Sequence, residues 1–459
     1  MILFMTRRIR PILFALSLTI SALFLPFSPA WSQERAPSER MVLIRDAETE
    51  TLLHDFAVTL YRAAGLDPRT IRIVLVRDRA INAFVTTGNR MFIHTGLLMR
   101  ADSALEVVGT MAHETGHVLH GDISRGPEQA REMMWRTLGS LLIAGAAGLA
   151  SHDGGVGAGA AMGGLSMAER HYMSFSRGQE EGADGAAVQM LDRLGWSARG
   201  LLRLFEVLDQ EDSLVNDRRD PFLMTHPLTR DRMDFMRRHV ESAHGPGDLP
   251  PKLENAYLLV RAKLDGFLSI PGTVLRAYPG SDQSAPALYA RAAAEHQLSH
   301  RDAALGLMDR LIAMQPANPW FRELRGQILY ETGHPREAVT AYRETVRLAP
   351  EQPLLHQGLA QAMMETGDKA MLRPAIDHLE TARRQDPEDD STFHLLGIAW
   401  GQLGDMGQAN LALAEEAIRG NDIPAARRFA RLAAESLPQG PAKLRALDIG
   451  NAVKKENRP

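Results

Sequence analysis

Residues 104–120 read ALEVVGTMAHETGHVLH, and this stretch decides how the rest of the chain is read. Leu105, Val107, Val108 and Met111 recur at helical spacing ahead of His113-Glu114-Thr115-Gly116-His117, and Asp102 or Ser103 stands where a helix N-cap belongs. On such a helix His113 and His117, at i and i+4, share a face about one turn apart, so both imidazoles can reach one ion. Glu114 projects beside them, placed to take a proton from a metal-bound water. An HExxH run also arises by chance, so the rest of the chain must supply the remaining ligands.

A second run, SRGQEEGAD at 176–184, supplies a candidate. On a helix Glu180 and Asp184 lie at i and i+4 on one face. A carboxylate there completes three protein ligands and leaves a fourth position open, as a catalytic zinc site requires. Asp184 is then placed to accept a hydrogen bond from a liganding imidazole and fix its tautomer. The choice of Glu180 over Glu181 rests on this spacing. The longer HExxHxxGxxH pattern is excluded, because positions 120 and 123 are His120 and Ile123. His120 reads as a helix-face neighbour, a turn too far along the axis to be a ligand. Two further residues are candidates. His226, in Thr225-His226-Pro227, is placed to close the open metal position and hold the site latent, or to contact substrate. Arg232 is a candidate oxyanion stabiliser. A structural role is the plainer alternative for each.

Composition narrows the chemistry. The chain has 459 residues, 45% hydrophobic and 24% charged, with a formal net charge of −4 and no cysteine. Its length predicts two or three domains, and the mild acidic excess argues against a nucleic-acid partner. Without cysteine there is no disulfide, thiolate nucleophile or Cys-ligated zinc, so any metal is held by His, Asp or Glu. At the N-terminus, Arg7, Arg8 and Arg10 precede an apolar run from Ile12 to Phe27, followed by small residues at Ser28, Ala30 and Ser32. That pattern predicts a secretory signal over 1–32, and with the missing cysteines a periplasmic location. Retention as an uncleaved anchor is the alternative, weakened by an apolar run short of about 20 residues.

The pattern places the first domain at 33–240, with a helix over 40–65, strands at Ile71–Val76 and Met91–His94, and helices over 169–194 and 197–211. The Gly/Ala-rich stretch 138–167 has a continuous apolar core only at 138–150, too short to cross a bilayer, and reads as a lid or a lipid-touching surface. HGPGDLPP at 244–251 marks a connector over 241–285. Beyond it the chain repeats. Ala304 and Ala338, Pro316 and Pro350, and Ala292 and Gly326 are each 34 residues apart. Gly367 to Gly404 is 37, with the extra residues assigned to the turn at 368–373, and Ala375 to Ala409 returns to 34. A 34-residue helix–turn–helix period is the tetratricopeptide (TPR) pattern. About four units are expected over 286–437, followed by a tail at 438–459. The expected fold is mainly α: a zincin-type α+β domain with a small sheet, then an α-solenoid of TPR helix pairs.

HETGH, the SRxxExxxD element and Thr225-His226-Pro227 together resemble the HtpX-like gluzincin metallopeptidases, relatives of the CAAX prenyl proteases. With TPR units attached, the chain is similar to periplasmic BepA-type protease/chaperones, over about residues 40–437. The resemblance implies one Zn2+ held by His113, His117 and Glu180, with Glu114 as general base. It further implies that Asn82-Ala83-Phe84 and the Met91–Gly96 strand lie beside the cleft as family segment and edge strand. Its departure is Gly182-Ala183-Asp184, where Glu-Ala-Asp is common. The expected function is a zinc endopeptidase whose TPR groove recognises protein clients among outer-membrane proteins or their assembly machinery, with a chaperone-like role besides. The rival reading is a TPR scaffold with a silent peptidase domain.

Overall fold

The computed structural model describes residues 42–122, 177–214, 222, 226–242 and 247–455. The signal segment, the Gly/Ala-rich stretch 138–167 and Ser176 lie outside the described residues. The first domain begins with β1 (Leu43–Ile44), α1 (Ala47–Ala64), β2 (Arg72–Val76), β3 (Ala83–Thr86), β4 (Arg90–His94), α2 (Thr95–Arg100) and α3 (Ala104–His120). Helices follow as α4 at 177–194, α5 (Arg199–Leu214) and α6 (Arg230–Ser242). Leu43 and Ile44 were expected to be helical but pair with Val76 and Leu75 as a strand. The helix starts only at Asp46, whose carboxylate accepts from the Thr49 backbone N–H and caps it.

The four strands run in the order β1-β2-β4-β3, with β2 and β4 parallel and the outer pairs antiparallel. The strand expected at the cleft edge, Met91–Gly96, is therefore internal. The edge beside α3 is β3, the Ala83–Thr86 segment. Side chains alternate across the sheet, so Met91 and Ile93 face Phe56 and Leu60 of α1 and Val107 and Met111 of α3 in one buried core.

The expected connector is structural. Helix α7 (Pro251–Leu268) buries Tyr257, Val260 and Leu264 in the first domain's core, and its Leu259 and Phe267 in the next. Tyr257 donates to the carbonyls of Leu98 and Ala101 at 3.0 and 2.6 Å, and Glu254 accepts from the backbone N–H of Ala104. The helix carrying HETGH is thus capped by a side chain of the connector.

After a short helix α8 (Pro271–Ala277), the chain forms helix pairs: α9 (Ala285–Gln297) with α10 (Arg301–Met314), α11 (Pro319–Glu331) with α12 (Pro335–Leu348), α13 (Pro353–Glu365) with α14 (Leu372–Gln385), and α15 (Asp390–Leu403) with α16 (Met406–Arg419). The three extra residues of the long interval form a 3-10 turn, Lys369–Met371. α17 (Ile423–Ser436) packs on α16 and on α18 (Pro441–Lys455), a helix where a tail was expected. The repeat spacing has a packing cause. The Tyr342 ring lies between Gly326 and Gly358, where an added Cβ would come within 3.0 and 2.9 Å of it, so successive pairs close on the aromatic.

The array docks on the first domain through its opening turn. Ala47 packs with Leu354 and Leu355. Arg45 bridges to Asp386 at 3.0 Å and Asp389 at 3.3 Å, and Gln352 donates to Thr51 at 2.6 Å. At the centre, the fully buried Lys263 of α7 stands 2.5 Å from Asp46, 3.3 Å from Glu48 and 3.7 Å from Glu323 of α11, while Tyr289 of α9 donates to Glu48 at 2.8 Å. The two halves therefore share a dry polar joint, and such a joint is tolerated only because its charges are paired.

Candidate metal centre

α3 and α4 cross at close range because both offer small residues. A Cβ added at Gly116 would sit 2.7 Å from the carbonyl oxygen of Ala183, so the glycine inside HETGH lets the second helix approach. Glu180 is 3% exposed and turns toward α3, whereas Glu181 faces solvent. His113 Nε2 and His117 Nε2 are 3.2 Å apart. Glu180 approaches them at 3.3 Å (Oε2 to His113 Nε2) and 3.5 Å (Oε1 to His117 Nε2). His226 completes the group, its Nδ1 3.0 Å from Glu180 Oε1. One donor atom from each of His113, His117, Glu180 and His226 lies within 4.8 Å of the others, and all four residues are buried.

This donor set fits a divalent cation. Ligands about 2.0–2.1 Å from a tetrahedral centre stand about 3.3–3.4 Å from one another, close to the 3.2, 3.3 and 3.5 Å among His113, His117 and Glu180. Two imidazole nitrogens facing across 3.2 Å need a cation or a proton between them, since two lone pairs repel. The charges agree: among the described residues, buried Glu180 and Asp184 are paired with the guanidinium of Arg232 and otherwise with the site's own imidazoles. Burial works against the imidazolium of His113, yet hydrogen bonds to Asp184 and Glu180 raise its pKa to about 9, the mark of a site that attracts positive charge. Burial also opposes the ionised forms of Glu180 and Asp184, but hydrogen bonds to His113 and, respectively, to His226 and Arg232 hold both below the usual carboxylate range.

The surrounding residues orient the imidazoles. His113 Nδ1 lies 2.9 Å from Asp184 Oδ1, and His117 Nδ1 lies 3.0 Å from Asp122 Oδ2. Each ring thus points Nε2 inward, the arrangement carboxylate–histidine–metal sites use. Asp122 escaped the sequence reading, although a carboxylate one turn beyond the second histidine is where such a partner belongs. Phe222 also escaped it. Its ring packs 4.7 Å from the His226 ring and fixes that side chain from outside.

Arg232 stands elsewhere than the sequence suggested. It is 1% exposed, with Nε and Nη2 on Asp184 at 2.6 and 2.9 Å, and Nη1 at 2.8 Å from Glu180 Oε2 and 3.0 Å from the Pro227 carbonyl. The Phe205 ring lies 4.8 Å beneath it. Its donors are taken up by Asp184, Glu180 and the Pro227 carbonyl. Glu114 is the converse case. Its Oε1 is buried without a hydrogen bond among the described residues and lies 3.5 Å from His226 Nε2, so a carboxylate oxygen is held beside the cluster.

Buried histidines on an HExxH helix, a carboxylate from a second helix, and an attached helical-repeat array define a metalloprotease joined to a protein-interaction solenoid. Comparison with known sequences makes this specific. Residues 45–240 match Peptidase family M48, and residues 308–422 match a tetratricopeptide repeat profile, so the chain carries an M48 peptidase domain followed by C-terminal TPR repeats. It is 26% identical over 352 residues to the beta-barrel assembly-enhancing protease of Yersinia pestis, covering 74% of this chain and 70% of that protein. It is 24% identical over 385 residues to the protein of the same name from Escherichia coli K12, covering 81% and 76%. Metalloprotease LoiP of Escherichia coli K12 is 28% identical over 178 residues, 37% of this chain and 62% of that one.

Proposed function

We propose that this metalloprotease is a zinc endopeptidase of the periplasm that acts on proteins of outer-membrane assembly, degrading misassembled clients and assisting others as a chaperone. The observation that carries the chemistry is the convergence of His113, His117 and Glu180 with Glu114 alongside. Support for the setting comes from relatives named for β-barrel assembly over most of this chain's length, and from the N-terminal signal-like segment. No helix among the described residues is long and apolar enough to cross a membrane.

His113, His117 and Glu180 would hold the zinc, which when bound supplies Lewis acidity at the scissile carbonyl and lowers the pKa of water. Glu114 takes the proton of the attacking water and returns it to the departing amine. Asp184 holds His113 in its tautomer, and Arg232 holds Asp184 and Glu180 in place as a positioning residue. His226, seated against Glu180 and packed on Phe222, is placed to take the open metal position and hold the resting site latent until it is displaced. The TPR array brings protein clients to this site.

Metal analysis of the purified mature protein tests the reading. The expected result is one zinc per chain in the parent and near-complete loss in His113→Ala. A parent that binds no metal, or a variant that keeps its zinc, contradicts it.

A further inference from the structure

The outermost helices of a repeat array stay soluble by turning a polar face outward. Helix α18, at the outer end of the described array, departs from this. It packs on α16 and α17 through Ala446 and Ile449, which are buried beside Ala414, Ala430, Ala433 and Leu437. Its opposite side carries Leu444 and Leu447, 60% and 45% exposed. At i and i+3 the two leucines are neighbours on one face. They are among the most exposed large apolar side chains of the described residues.

The surrounding charge indicates what covers them. Residues 423–459 contain eight Lys and Arg against three Asp and Glu, in a chain whose formal net charge is −4. On the adjoining α17, Ala426, Ala430 and Ala433 are buried, so Arg427, Arg428 and Arg431 extend outward and are exposed. Arg428 lies 4.5 Å over the Phe429 ring. Arg431 approaches Glu435 at 3.5 Å, but both side chains are well exposed and such a pair holds weakly. On α18 itself Lys443 and Arg445 flank Leu444, with Arg445 held by Glu415 of α16, and Asp448 is the one exposed acid beside the leucines. A stable protein interface buries about 1,200–2,000 Å², far more than a row of two leucines on one helix supplies. A lipid surface makes no such demand, because leucines enter the headgroup–acyl boundary while nearby cations meet the phosphates. We infer that the α17–α18 end of the array rests on an anionic phospholipid surface, with Leu444 and Leu447 entering it and Arg428 and Arg431 on its headgroups. The contact goes beyond the peptidase reading and does not depend on it.

The test is flotation of the full-length, metal-loaded mature protein with vesicles of phosphatidylcholine, alone or mixed equally with phosphatidylglycerol. The mixed vesicles should bind with an apparent Kd at least about tenfold lower than the neutral ones, and added salt should remove most of that difference. Leu444→Ser with Leu447→Ser, and separately Arg428→Gln with Arg431→Gln, should each weaken binding to the mixed vesicles about tenfold. Leu444→Ile with Leu447→Met keeps the apolar row and should bind as the parent does. Equal binding to the two vesicle types, binding to neither, or unchanged binding after the serine substitutions overturns the inference. A dimer in lipid-free solution that is lost with the leucines also overturns it, assigning the face to a second copy. Binding to polyglutamate but not to vesicles overturns it in favour of an acidic protein.

Discussion

Arg232 and Asp184 form a bidentate ion pair at 2.6 and 2.9 Å in which neither side chain is more than 1% exposed, and Asp184 passes that constraint to His113 Nδ1 at 2.9 Å. The pair ties α6 to α4, and through His113 to α3, so three helices distant in sequence meet at one imidazole of the candidate metal centre. Removing one partner of such a pair is costlier than the pair is stabilising, because the other charge stays buried alone. Arg232→Met should therefore lower unfolding free energy by about 3–5 kcal/mol in the absence of metal. Urea denaturation of the chelator-treated protein reads this directly, and a loss below about 1 kcal/mol would show the guanidinium to be dispensable.

Asp184→Asn keeps the shape but loses the charge on which His113 leans. Carboxylate partners of metal-bound imidazoles typically contribute 10–100-fold to affinity. Competition against a chromophoric chelator should show weakening of about that size, with secondary structure unchanged.

Gly116→Ala tests the helix crossing. Its methyl would be 2.7 Å from the Ala183 carbonyl oxygen and 2.9 Å from the Ala183 Cα, both rigid backbone atoms, so α4 must shift. Overpacking of this kind costs about 1–3 kcal/mol. Because Glu180 rides on α4, metal affinity should fall along with the thermal midpoint. Unchanged affinity would mean that the helices part without moving the ligand.

The joint at Lys263 predicts a pH dependence. Glu48 is buried, with Asp46 and Glu323 beside it; burial chiefly raises its pKa, to about 7, against the pull of Lys263 and the hydrogen bond from Tyr289. The folded chain therefore favours the protonated form of Glu48, while the unfolded chain ionises it at the ordinary glutamate value of 4.5. Its contribution to stability is full below that value and is lost as pH rises to about 7, a fall of up to about 3 kcal/mol. Asp46 is depressed and acts with the opposite sign, but at lower pH, outside this window. Unfolding free energies measured across the window should decline less in Glu48→Gln than in the parent. Parallel curves would show that Glu48 stays ionised in the joint.

The features legible in the sequence were those with a local period. Two histidines at i and i+4, the 34-residue repeat and the apolar positions of α3 are each set by helix geometry within a few turns. Strand order was not legible, because Met91–His94 reads as a strand equally well at the edge or inside, and only its parallel pairing with β2 across an intervening strand places it inside. Arg232 was singled out but given another partner, since nothing local reveals that a residue 48 positions from Asp184 folds onto it. The connector was read as a linker or connecting helix from its Pro and Gly residues, but the burial of Tyr257 and Lys263 lies just beyond them and depends on both neighbours at once.

The most direct test of the central claim is the rate at which the zinc-loaded Glu114→Gln protein cleaves an unfolded protein client. The account predicts a fall of at least about 100-fold from the parent rate, the scale on which a lost general base is felt, with one zinc per chain still bound. Cleavage at the parent rate by the substituted protein would contradict it.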